Sequence, residues 1–433
     1  MSPSKKLALS LTAAGAALAS AGVAHAQAFY LQEQAARAAG RAFSGEAADT
    51  GAASLWWNPA AIGGQERAEA TVSASVILPK GKVNNNNTLI RRPGGTFAPV
   101  GGDATSEDPI NNGVLPSGAI AVPLTDRIAV GLAVTSPYSF TTDYSGDSWA
   151  RYSADRTYLR TFDIQPSVGV AVTDWLRVGG AANVEHAEAS LTNALPNLSA
   201  ALPDGSQKLA GGGWDVGWSA GFQMHNDWAT VGVSYKSSIQ HNLKGDLTVS
   251  GLLGPLAANN REINGVDASF STPAQVIVGG RFRVTPALTL NAQTIRYTWE
   301  KFDAIRLGAP VNAALPENYR NTWSYAGGID YAVSPRLTLR GGVQRALTPT
   351  SDGERDARVP DANRWNYALG ASFDVTPSFS LDLAGNYVDF ADTTIDRITA
   401  AYAGTAAQTP VLVNGTLTDA RALVFSAGGR VRF

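Results

Sequence analysis

Three histidines, His186, His225 and His241, are the first residues to test for chemistry; a fourth, His25, lies near the start of the chain. None of them stands in a nucleophile motif. The chain has no P-loop, no dinucleotide fingerprint and no metal-ligand cluster, and its lack of cysteine excludes thiolate sites and disulfides. Nucleophilic or acid–base catalysis needs serine or paired carboxylates gathered with a histidine in one patch. Scattered histidines do not supply that, so the sequence points to no catalytic residue, no metal and no cofactor. Its candidate chemistry is recognition of apolar surface. The connections 193–208 and 250–263 carry Leu195, Leu198, Leu202, Leu252, Leu253 and Leu256. Leucines exposed on such loops form a patch that binds a hydrophobic ligand; the alternative is that they pack the loops together.

Composition narrows what holds these residues in place. Charged residues make up 16% of the 433, against roughly 25% in soluble domains. The formal charge of −2 gives no reason to expect a nucleic-acid partner. Lys5 and Lys6, an apolar run over 7–23 and the Ala24-His25-Ala26 cleavage pattern read as a secretory signal over 1–26, with the mature chain starting at Gln27. Without Lys5 and Lys6 the basic residues fall from 34 to 32 against 36 acidic ones, a mature charge of −4. No later stretch has the ~20 apolar residues of a membrane helix. If the exported chain spans a membrane, it does so with strands.

Beyond residue 67 the pattern has period two. Val72, Ala74, Val76 and Leu78 alternate with Thr71, Ser73 and Ser75. Val276, Val278, Phe282 and Val284 oppose Gln275, Arg281 and Arg283, and Leu337, Leu339 and Val343 oppose Arg336, Thr338, Arg340 and Gln344. One apolar and one charged face fit a soluble sheet with a wet side or a barrel with lipid outside and water within. Along 288–299 the apolar phase switches sides, from Leu288, Leu290 and Ala292 to Ile295, Tyr297 and Trp299, and a bulge near Thr294 is the expected cause.

The turns decide between the two. Thr125-Asp126, Thr173-Asp174, Asn226-Asp227, Thr285-Pro286, Ser334-Pro335 and Thr376-Pro377 read as tight hairpins. The connections between them, such as 81–113, 139–156, 348–360 and 392–416, are long and polar. Short turns at one end and long loops at the other mark a transmembrane barrel. Six hairpins, with one strand before (about 68–79) and one after (about 418–433), predict an all-β fold: a fourteen-stranded antiparallel transmembrane β-barrel. In the last strand Leu423, Phe425, Val431 and Phe433 face lipid, while Arg430 and Arg432 face the lumen. Residues 27–67, rich in Ala and Gly and closing on Trp56-Trp57-Asn58-Pro59, read as an N-terminal hatch plugging the lumen, leaving 68–433 for the wall.

At this point the chain resembles a family. Ala28-Phe29-Tyr30-Leu31-Gln32-Glu33, then Gly40-Arg41-Ala42-Phe43-Ser44-Gly45-Glu46, then Asn58-Pro59-Ala60, look like the N-terminal pattern of FadL/TodX-type outer-membrane transporters, with Ala28 and Ala38 where the pattern has glycine. Pro360-Asp361-Ala362-Asn363-Arg364 is similar to a second motif of that family. The resemblance implies passive uptake of long-chain fatty acids or of aromatic or alkane hydrocarbons through a hatch-gated barrel, with lateral exit at a kink in the third strand. It implies that Phe29 touches ligand, the alternative being a packing aromatic. It implies that Asn58, Pro59 and Ala60 fit against the kink as a gate, the alternative being a rigid turn. Gly131 is the expected kink, because glycine weakens a strand. Arg364 orients a ligand carboxylate or pairs with Asp361. The expected partners are outer-membrane lipid and lipopolysaccharide, and the barrel-assembly machinery acting on Phe433, with the protein a monomer in the outer membrane of a Gram-negative cell. Glu185 and Glu188 in the fifth strand, where a fatty acid would favour a cation, leave an uncharged hydrophobe in play. The rival reading is a general diffusion porin with a plugged lumen.

Overall fold

A computed structural model describes residues 28–144 and 146–433; the expected signal over 1–26 lies outside the described residues. Fourteen antiparallel strands close into one barrel. They are β1 (Glu69–Asn85), β2 (Gly113–Pro123), β3 (Ile128–Thr135 and Ser139–Asp143), β4 (Arg156–Ala171) and β5 (Leu176–Leu195). Then come β6 (Gly205–His225), β7 (Ala229–Lys236 and Gln240–Ser250), β8 (Arg261–Ser271 and Gln275–Arg283) and β9 (Leu288–Tyr297 and Ala304–Leu307). The wall is completed by β10 (Ala313–Pro316 and Thr322–Ser334), β11 (Leu337–Ala346), β12 (Arg364–Thr376), β13 (Phe379–Phe390) and β14 (Gly415–Arg432). Each strand pairs with the next, and β14 pairs with β13 on one side and β1 on the other, which leaves no free edge.

The six predicted hairpins form one end of the barrel. Their turns are closed by short-range bonds such as the Leu124 and Val284 amides donating to the Ile128 and Leu288 carbonyls. Phe425 and Leu369 point out to lipid, while Val424, Ser426 and Arg430 are buried on the inner face of β14. At the other end, segments Leu89–Ile90, Ala98–Pro99, Ile398–Ala401 and Thr409–Leu412 make a separate four-stranded sheet over the mouth.

β9 corrects one expectation. Its pairing with β8 and β10 runs without a register shift, so there is no bulge near Thr294. Asn291, Gln293, Ile295 and Tyr297 all face inward. The side chains change character along one face, because the lumen itself turns from polar to apolar at that height.

The hatch fills the inner half of the lumen. A single helical turn, α1 (Ala36–Ala39), falls within the alanine run and ends at Gly40. Three 3-10 turns follow, the last at Pro59–Ile62, where the Asn58 side chain accepts a bond from the Ala60 amide. Charge fixes this body to the wall. Arg41 reaches Glu46 at 2.6 Å, Asp49 at 2.5 Å and Asp330 of β10 at 3.3 Å. Asp330 also holds Arg281 of β8 at 2.8 Å and Arg340 of β11 at 2.9 Å. Such pairs keep their geometry because removing one partner strands the others in low dielectric.

Candidate ligand-binding site and wall opening

β3 is broken where Pro137 stands, since proline has no amide to give to a ladder. Below the break β3 pairs with β2 as far as Gly118 opposite Val134. Above it Ser139–Asp143 pairs with β4 on one side, and on the other the chain leading into β2 rejoins it only at the Ile110–Thr142 bridge. The facing part of β2, 113–117, pairs only with β1. The wall therefore has an opening between β2 and β3, and an arm of the hatch, 28–34, closes it from inside.

The arm acts as a substitute strand. Tyr30 bridges Tyr138 in antiparallel sense, the Leu31 amide donates to the Pro137 carbonyl at 2.7 Å, and the Ser139 amide donates to the Phe29 carbonyl at 2.8 Å. Gln34 meets both backbone groups of Ser136: its Nε2 donates to the carbonyl at 3.1 Å and its Oε1 accepts from the amide at 3.2 Å. On the opposite side of the gap Ser117 Oγ donates to the Gln34 carbonyl at 2.7 Å. The far end of the arm is tied by the Ala28 amide, which donates to Asp361. Arg364 pairs with that same carboxylate at 2.9 Å, the pairing alternative noted above. Burial pushes the Glu33 carboxyl in the arm up to about 6.

Beside the arm, toward the loop end of the barrel, lies an apolar chamber. Phe29 forms part of its wall, with Phe140, Leu209, Leu243, Phe270 and Phe302; Glu317 and Arg358 are its charged residues. The Phe29 ring stacks on Phe140 at 5.8 Å and meets Trp299 and Phe302 edge-on at 5.1 and 5.2 Å. On the other side of Tyr138 is a small polar cavity that includes Trp56, Asp163, Glu185 and Lys236. The Lys236 ammonium lies 3.9 Å from the Trp56 ring centroid. Phe29 and Tyr138 thus stand between a greasy space and a polar one, at the height of the break. Such a chamber can hold a hydrophobic molecule and, with the arm displaced, communicate with lipid.

The other expected site residues lie elsewhere. Leu195, Leu252 and Leu256 are buried against one another with Leu198, Tyr402 and Ala407 around them, and only Leu202 and Leu253 are exposed. They pack loops together and do not line the chamber. Gly131 is not the kink: its ladder is continuous on both sides, opposite Ala121 and Ser167. Glycine serves there to admit the hatch, because a Cβ would lie 2.6 Å from Leu55 Cδ1. Asn58, Pro59 and Ala60 do not meet the kink either. Asn58 Nδ2 donates to the Ala47 and Phe222 carbonyls, and Pro59 and Ala60 press on Gly179 of β5, where a Cβ would lie 2.4 Å from the Ala60 nitrogen. The sequence reading missed Leu209, Leu243, Phe270 and Pro137. The inward phase of Ile295 and Tyr297 marked the apolar cluster that backs the chamber, and a proline within a strand marked the break.

The chain and its fold are similar to those of known proteins. Residues 17–433 match the family model described as outer membrane protein transport protein (OMPP1/FadL/TodX). A long-chain fatty acid transport protein of Escherichia coli is 23% identical, over 83% of this chain and 86% of its own. Among solved structures, a Pseudomonas aeruginosa FadL homologue superposes with a TM-score of 0.81 at 23% identity, covering 93% of this chain and 99% of its own. The Ralstonia pickettii toluene transporter TbuX superposes at 0.63 with 17% identity, covering 91% and 97%. The plugged fourteen-stranded wall and the family match over nearly its whole length lead to one assignment: this chain belongs to the OMPP1/FadL/TodX family of outer-membrane transport proteins.

Proposed function

We propose that the protein takes up hydrophobic small molecules passively across the outer membrane. Ligand rests in the apolar chamber against Phe29, then leaves sideways between β2 and β3 when the arm 28–34 swings away. The single observation that carries this reading is that one six-residue stretch, Phe29–Gln34, contributes both the chamber's innermost ring and the bonds that seal the wall. A ligand that displaces Phe29 therefore pulls on the seal. Arg358 and Glu317 at the chamber suit a polar head as well as none, so both the fatty-acid class and the aromatic or alkane class belong to the proposal. In it Asn58, Pro59 and Ala60 anchor the hatch while the arm moves. The chain works as a monomer, and its last strand, ending at Phe433, is handed to the barrel-assembly machinery.

The test is uptake of labelled oleate and labelled toluene by cells with and without the gene. Faster uptake of at least one in cells carrying the gene is expected; equal rates for both refute transport of these classes. The rival reading, a general porin, predicts a large steady conductance in a planar bilayer, whereas a hatch bolted by Arg41 and Asp330 predicts a closed bore.

A further inference from the structure

Two copies of one arrangement stand on the lipid-facing wall. Arg296 is the ninth residue of β9 and Arg345 the ninth of β11. Each lies directly across the ladder from a tryptophan, Trp323 of β10 and Trp365 of β12. The guanidinium carbons sit 5.2 and 5.1 Å from the centroids of those rings. Each tryptophan in turn stacks on a tyrosine two residues on, Tyr325 at 6.1 Å and Tyr367 at 6.5 Å. The unit Arg-Trp-Tyr thus repeats two strands apart.

Its height and charge set its partner. Eight residues of a tilted strand rise about 20 Å from the hairpin end, close to the top of an apolar band about 25 Å tall. Arginine so placed extends its head to the interface. Below the two units the same face carries Leu290, Ile329, Leu339 and Leu369, all exposed to lipid. Among the described residues the guanidinium group of neither Arg296 nor Arg345 makes an ion pair or a hydrogen bond. Nearer the loop end on the other side of the barrel, Arg160 of β4 is answered by Glu188 of β5 at 3.4 Å. The tryptophan ring holds each guanidinium at the wall while its N–H donors meet no acceptor there, and guanidinium donors grip phosphate oxygens in pairs. Arg345 shares a ladder row with Thr294, so it lies two strands across and two residues down from Arg296, on the order of 12 Å away. That spacing is of the order of a disaccharide's length.

We propose that the Arg296–Trp323 and Arg345–Trp365 pairs form a binding site for the phosphates of a diphosphorylated glycolipid of the outer leaflet. The acyl chains lie on the leucine-rich wall beneath, and the two phosphates are held one at each guanidinium.

The test is native mass spectrometry of the full folded chain titrated with diphosphoryl lipid A, its dephosphorylated form, or phosphatidylglycerol. Diphosphoryl lipid A is expected to bind most tightly. The pair R296A/R345A should weaken it roughly 30-fold, about five- to sixfold per arginine near an anionic surface. R296K/R345K should recover part of that loss, and R336A at the opposite rim should leave binding unchanged. Heat-modifiable gel mobility verifies folding; if the alanine pair does not fold, R296Q/R345Q carries the same expectation. Equal binding of the dephosphorylated lipid, equal arginine-dependent binding of phosphatidylglycerol, or wild-type binding by the folded double variant overturns the proposal.

Discussion

A disulfide between arm and wall would test the gate directly. The chain has no cysteine, so Tyr30→Cys with Tyr138→Cys creates its only thiol pair. The bonds around this bridge, Leu31 amide to Pro137 carbonyl and Ser139 amide to Phe29 carbonyl, mark a non-hydrogen-bonded pair. Its α-carbons are then about 4.5 Å apart, inside the range a disulfide spans. The arm makes four hydrogen bonds with the broken edge of β3 and one with Ser117, each contributing about 1 kcal/mol. Burial of Phe29 adds about 2–3 kcal/mol. Against this, ordering six arm residues costs about 1–2 kcal/mol each. Tyr30 and Leu31 are buried too, and Tyr30, Gln32 and Glu33 carry further hydrogen bonds, so the seal opens only for a ligand whose differential affinity for the open arm outweighs these contacts. A covalent link removes that option. Oxidised double-variant cells should take up oleate and toluene no faster than cells lacking the gene, and a membrane-permeant reductant should restore the rate. Each single variant should transport regardless of redox state. Full transport by the oxidised, verified disulfide form would show that the arm does not move, and the gating argument would fail.

Other consequences can be measured more simply. Phe29→Ala opens the chamber toward the break and removes a buried ring, so the barrel should lose about 3–5 kcal/mol in urea titration while its ligand selectivity broadens. Leu209→Lys puts an ammonium into the apolar chamber; it should abolish toluene uptake without altering heat-modifiable mobility. Asp330→Asn leaves Arg41, Arg281 and Arg340 crowded without their shared carboxylate, and a loss of about 3–5 kcal/mol in denaturant stability is expected. Gly179→Val forces a side chain into Pro59 and Ala60; planar-bilayer recordings should show a leak absent from the wild type.

The wall was legible in the sequence because its signals are local. Alternation and turn chemistry act over a few residues, and they placed all six hairpins and the outward faces of Val276 and Phe425. The break in β3 was misplaced because two local signals competed. Gly131 weakens a strand by entropy, but Pro137 removes a donor outright, and the missing donor is what ends the pairing with β2. Glycine at 131 answers a different demand, the passage of Leu55, which only the folded hatch creates. The leucines of the outer loops lie outside the chamber for a similar reason. Whether Leu195 and Leu252 face water depends on loops distant in the chain meeting around Tyr402. The apolar cluster behind the chamber left a trace at Ile295 and Tyr297, but a change of residue character along one face looks like a change of face until the register is known.

The hatch precedes every strand in the chain and presses on the wall at bare glycines: Gly179 of β5, Gly232 of β7, Gly342 of β11 and Gly370 of β12 each lie where an added methyl would strike it. The cylinder is accordingly wound on a mandrel that it brings with it. Its bore is set by the girth of its own leading segment as well as by strand number and tilt. Widening this channel by trimming the cork would leave flattened, unsupported panels where those glycines now rest.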